Sequence, residues 1–158
     1  MRENKKTIIV FSNDMDRVMA SLVIATGASA MGDEVTMFFT FWGLNVLRDP
    51  KKNISKKNLL EKIFGWMMPK GVDKLPLSKM NFLGIGPKLM KYMMKKKKVQ
   101  SLSEMLKQAQ DLGVKLVACS MSMEVMGIKK EELIDGVEIG GVATYLNEAN
   151  SSGLNLFI

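Results

Sequence analysis

Apolar positions along the chain follow two rhythms. Short runs dense in β-branched and aromatic residues, Thr7-Ile8-Ile9-Val10-Phe11 and Val35-Thr36-Met37-Phe38-Phe39, read as buried strands. Between them, Val18, Met19, Leu22, Val23, Ala25, Thr26 and Ala30 recur at helical spacing from Met15 to Met31. Ser12-Asn13-Asp14 supplies the start of that helix and Gly32 its stop. Strand, helix and strand joined so tightly predict a βαβ unit, hence parallel strands with a right-handed crossover.

The second half repeats the same grammar. Ser101 to Leu112 is a predicted helix, with Ser101 and Glu104 in capping-box spacing and Gly113 behind it. Val114 to Ala118 is a strand running into Cys119. Met121 to Met126 reads as one or two helical turns closed by Gly127, and Lys130 to Ile134 as a further short helix. Val137-Glu138-Ile139 is a strand, Val142 to Asn150 a helix and Leu154 to Ile158 a last strand. The alternation predicts an α/β fold: a three-layer α/β/α sandwich around a mostly parallel sheet of about five strands. One domain, 1–158, suits the length.

A segment of different character lies between the halves. Residues 51–98 hold fourteen lysines against two acids, a net +12, so the rest of the chain carries −5 of the total +7. Six of the fifteen methionines fall there too. Ser55–Phe64 and Pro87–Lys97 read as amphipathic helices, joined by a Pro- and Gly-punctuated stretch, 65–86. This is a basic, Met-rich helical insertion into the α/β core. The run Lys95 to Lys98 suits an anionic membrane surface or an acidic protein, or simply a solvated helix end whose cations complement the dipole. Exposed aromatics interleaved with the lysines are lacking, which disfavours nucleic acid. Gly84-Ile85-Gly86-Pro87 matches neither the P-loop nor the dinucleotide fingerprint.

One cysteine and no histidine remove many mechanisms. Intramolecular disulfides, Cys/His zinc sites, Ser-His-Asp triads and Cys-His dyads are all out of reach. No metal and no cofactor are expected. The N-terminal apolar run is too short for a signal-peptide core, and no stretch nears the ~18 apolar residues of a membrane span, so the expectation is a cytoplasmic protein.

Parallel sheets bind ligands outside the carboxyl ends of their strands. The predicted strand ends bring Ser12, Asn13, Asp14, Phe41, Trp42, Gly43, Cys119, Ser120, Gly140 and Gly141 to that rim. Cys119 stands where a strand gives way to a helix, where free amides favour the thiolate. Two readings compete, a nucleophilic thiolate and a structural cysteine buried among Met121, Met123 and Met126. Asn13 and Asp14 suit either ligand contact or capping, and Phe41-Trp42 either a pocket wall or packing. Glu124 is the nearby acid, suited to proton transfer or to solvent.

The segment Val117-Ala118-Cys119-Ser120-Met121-Ser122-Met123-Glu124-Val125-Met126-Gly127 resembles the cysteine segment of the DsrE/DsrF-like proteins, in their longer branch with a Met-rich insertion. Phe11-Ser12-Asn13-Asp14, Ala25-Thr26-Gly27-Ala28 and Phe38-Phe39-Thr40-Phe41-Trp42-Gly43 are similar to that branch too, so the resemblance spans the chain. It implies a sulfur-relay protein, a sulfurtransferase or sulfur carrier, commonly a homo-oligomer. In such a protein Cys119 accepts sulfane sulfur as a persulfide from a donor protein and passes it to an acceptor thiol. The alternatives are a non-catalytic scaffolding subunit docking through 51–98, and a small-ligand pocket along the strand ends.

Overall fold

The β-branched run after the N-terminus forms β1, Lys5–Val10, and the amphipathic stretch behind it forms α1, Met15–Ala30. Gly32 turns the chain at φ +90°, a left-handed conformation that suits glycine, and delivers it to β2, Glu34–Phe39. The computed structural model describes residues 4–54 and 57–158. Within the insertion lie α2, Leu59–Met67, and α3, Ile85–Lys96. After it come α4, Leu102–Asp111; β3, Lys115–Cys119; α5, Ser120–Met126; β4, Val137–Gly140; α6, Val142–Asn150; and β5, Leu154–Phe157. The capping box of α4 is formed: the Ser101 amide donates to the Glu104 carboxylate at 2.7 Å and the Glu104 amide to Ser101 Oγ at 3.3 Å.

The five strands are all parallel in the order β4-β3-β2-β1-β5. Ile8 pairs with Met37 and Val10 with Phe39, which in turn face Leu116 and Ala118 of β3. These side chains share one sheet face, buried under Val18, Leu22 and Ala25 of α1 and Leu102, Leu106 and Ala109 of α4. The alternate positions Phe38, Val117 and Cys119 point to the other face, where Tyr145 of α6 packs on them. Helices on both faces make the three-layer α/β/α sandwich. The last connection returns from β4 to the far side of β1, which places α6 opposite α1 and α4.

The insertion differs in detail from its periodicity. Its first helix runs to Met67 rather than Phe64, because Gly65 does not break it; the helix stops before Pro69. Ser55 and Lys56 lie outside the described residues, and the helix begins beyond them, where the Asn58 amide donates to the Glu61 carboxylate at 3.1 Å. The second helix starts two residues early, at Ile85, with Gly84 left-handed before it and Pro87 in its first turn. Met68, Val72, Leu75 and Met94 join the same buried cluster as the sheet. No residue of α2 is buried, and Leu60 and Trp66 are 81% and 86% exposed. The segment Lys130–Glu132 is a single 3₁₀ turn instead of a helix reaching Ile134. No helix among the described residues is long and apolar enough to cross a membrane.

Phe41–Leu47, where apolar periodicity indicates no element, is a 3₁₀ helix that buries Leu44, Asn45, Val46 and Leu47. Its entry is sterically tight. A Cβ on Gly43 would stand 2.0 Å from the Val10 carbonyl oxygen, and the Gly43 amide donates to the Phe11 carbonyl at 2.9 Å. Gly43→Ala is therefore expected to cost about 3 kcal/mol or more, since the obstructing atom is backbone. Urea unfolding should show it as a lowered midpoint with unchanged slope.

Candidate functional site

Cys119 ends β3 and, at φ −69° and ψ 115°, is the residue from which α5 starts. A strand must stop here because Ser120-Met121-Ser122 turns helical and carries the chain over the sheet edge. The thiol is 4% exposed and packs with Phe38 and Val117 beneath Tyr145, whose ring lies 5.3 Å from that of Phe38. Four donors reach it: the Ser122 hydroxyl and amide, the Thr40 hydroxyl and the Met121 amide. Thr40 Oγ1 and Ser122 Oγ are also hydrogen-bonded to each other at 2.8 Å.

Burial pushes the Cys119 thiol up, but the hydrogen bonds from Ser122, Thr40 and Met121 together outweigh it and hold the thiol below its ordinary value. The two readings of this residue are thus combined in one place: it is buried, and its anion is supported. Ser122→Ala removes one of the largest of these supports. The midpoint of the pH dependence of Cys119 alkylation should rise, since a hydrogen bond to the charged form is lost. Iodoacetamide rates measured against pH read this directly.

The other rim residues fall into two groups. Around Cys119 stand Gly140, its partner across β4, Ser120 at the exposed start of α5, and Gly141 leading into α6. A Cβ on Gly140 would come within 2.9 Å of Val117 Cγ1, so the strand end is packed closely against the residue beneath the thiol. The second group sits at the ends of β1 and β2: Ser12, Asn13 and Asp14 follow the first, and Phe41, Trp42 and Gly43 the second. Ser12 is buried and its Oγ accepts from the Asp14 amide at 3.0 Å. Asp14 precedes α1 without a side-chain cap and pairs with Arg17 at 3.5 Å, and Asn13 is half-buried. Phe41 packs against Phe11 at 5.9 Å; Trp42, half in solvent, meets Phe64 of α2 at 6.4 Å; and Gly43 is buried. Phe41 thus packs on the core, and Trp42 joins the core to the insertion. Glu124 is exposed on α5.

Thr40 and Ser122 are the residues that apolar periodicity passes over. Thr40 is the first residue past β2, and Ser122 lies three past Cys119, one helical turn on; those positions are the available signal. No group of three or more His, Cys, Asp or Glu among the described residues is arranged to hold a metal ion.

The model of the DsrE/DsrF/DrsH-like family matches residues 3–157. Uncharacterized protein YrkE of Bacillus subtilis (strain 168) is 51% identical over 154 residues, 98% of this chain and 96% of that protein. Sulfur carrier protein DsrE2 of Allochromatium vinosum is 35% identical over 162 residues, covering 100% of both. The crystal structure of the ychN protein from E. coli matches over 100% of both chains with a TM-score of 0.55 at 15% identity, a likeness of fold.

Proposed function

We propose that this chain, which belongs to the DsrE/DsrF/DrsH-like family, acts in sulfur relay, with Cys119 holding sulfane sulfur as a persulfide. The observation that carries the reading is a lone thiol at a strand end whose anion accepts hydrogen bonds from Ser122, Thr40 and Met121. Full-length similarity to a protein named as a sulfur carrier supports the same class of chemistry.

The step balances without an external oxidant. The Cys119 thiolate attacks the outer sulfur of a donor persulfide; a new S–S bond forms, the donor's S–S bond breaks, and the donor leaves as thiolate. An acceptor thiolate then attacks the outer sulfur on Cys119 and releases the Cys119 thiolate. No resolving cysteine is needed, because the next thiol belongs to another protein. No histidine is needed as base, because the thiolate fraction is set by the same hydrogen bonds.

Access is through α6. None of its residues is buried, and Tyr145 is its main contact over the Phe38-Val117-Cys119 cluster, so local opening there costs far less than unfolding. The test is discharge. Protein loaded with polysulfide and desalted should convert cyanide to thiocyanate stoichiometrically, with the free thiol regained. Loaded protein that yields no thiocyanate would refute carriage.

A further inference from the structure

The insertion meets the core over a cluster of charges far more buried than its composition suggests. Arg48 and Glu132 have side chains 3% and 4% exposed, and Lys57 is 6% exposed. Glu132 is fully engaged: Lys57 Nζ lies 2.5 Å from one carboxylate oxygen, the Lys129 amide donates to the same oxygen at 2.8 Å, and Arg48 Nη2 lies 3.6 Å from the other. Arg48 also donates to Asn45 Oδ1 and to the Gly65 carbonyl, each at 3.3 Å. Its Nε, and the neighbouring Asn45 Nδ2, are buried with no acceptor among the described residues.

A cleft of about 360 Å³ opens against this cluster between α2 and the core; four cations line it, Arg48, Lys57, Lys62 and Lys70, against two carboxylates, Glu61 and Glu132, with Trp66 beside them. Lys70 makes no ion pair among the described residues; its ammonium donates only to the neutral Lys52 carbonyl, at 2.5 Å, and to Asn53 Oδ1, at 2.9 Å. Burial and the adjacent charges of Arg48 and Lys57 pull Lys70 below the ordinary lysine range. Cations thus outnumber carboxylates on the cleft wall, and buried donors outnumber acceptors. Buried charge of one sign is stable only when paired, and a guanidinium with donors to spare matches an oxyanion.

We propose that this cleft binds a small tetrahedral oxyanion through Arg48, Lys57 and Lys70. Phosphate, sulfate and thiosulfate share the required charge and shape. The site lies apart from the thiol: Glu61 of α2 abuts Gly127, just past the end of α5, whereas Cys119 is at its start. Binding therefore does not need Cys119, and Cys119→Ser should bind unchanged.

The experiment is calorimetric titration of the full chain with sodium phosphate, sulfate and thiosulfate at ionic strength fixed by chloride, with Trp66 fluorescence as second readout. Saturable binding of at least one anion is expected. Lys70→Gln should weaken it at least tenfold, while Lys107→Gln, on α4 and paired with Asp111, should leave it unchanged. Should Lys70→Gln fail to fold, Lys62→Gln, exposed on α2, should still weaken binding severalfold. A response no different from added chloride, or binding that survives both cleft substitutions, would overturn the proposal.

Discussion

Glu132→Gln should destabilise the fold by about 3–5 kcal/mol, the cost of removing one partner from a buried ion cluster. The reason is the uncompensated charge it leaves. Arg48 and Lys57 are almost wholly removed from solvent, and Glu132 is the carboxylate both of them reach. Neutralising it leaves two neighbouring, largely buried cations without the carboxylate they share. Urea unfolding of wild type and variant measures the loss, and an unchanged midpoint would mean that water reaches the cluster. The pH dependence has a definite sign. Burial raises the Glu132 carboxyl, but the Lys57 hydrogen bond, the Lys129 amide and the charges of Lys57 and Arg48 hold it net below its ordinary 4.5. Its contribution is thus complete above that value and is lost as pH falls through the folded-state value. The gap between wild type and Glu132→Gln should accordingly narrow in acid, below about pH 4.

Cys119→Ser should abolish sulfur loading while leaving the fold intact. A serine hydroxyl stays protonated at neutral pH and cannot displace a persulfide sulfur, whatever hydrogen bonds Thr40 and Ser122 offer it. No other residue can take over, since the chain has one cysteine and methionine thioethers carry no ionisable S–H. The loss should therefore be complete, with thiocyanate formation at the level of a protein-free control. Wild-type loading should increase with pH up to a midpoint below the ordinary thiol range, because hydrogen bonding outweighs burial at Cys119. Circular dichroism and the unfolding midpoint of Cys119→Ser separate lost chemistry from lost structure.

The layers of the fold were legible because each element carries its own period. Strands such as Thr7 to Phe11 are buried on both faces and so are continuously apolar, while α1 and α4 show one apolar stripe. Their caps and stops are local signals, as at Ser101, Glu104, Gly32 and Gly113. The place of Cys119 at a strand end was legible for a related reason: a strand that runs straight into a helix defines its own carboxyl end. What surrounds it was not. Thr40 reaches the thiol from β2, a pairing set by sheet order, which no local pattern encodes.

The insertion carries weaker local signals. Its lysines read as a surface for an anionic membrane, an acidic protein or solvent, yet Lys57 is spent on Glu132, which follows far along the chain. Met68, Val72 and Leu75 enter the main core through turns too short to display a period. The Phe41–Leu47 helix escaped for the same reason, since 3₁₀ geometry does not follow the 3.6-residue spacing.

The central claim is that sulfur resides on Cys119, and intact-mass spectrometry after brief exposure to polysulfide tests it most directly. The wild-type chain should gain about 32 Da, one sulfur atom, mapping to the peptide that contains Cys119 and reversing with reductant. Cys119→Ser should gain nothing. A wild-type thiol that alkylates readily but takes up no sulfur, or an adduct that persists in Cys119→Ser, would contradict the account.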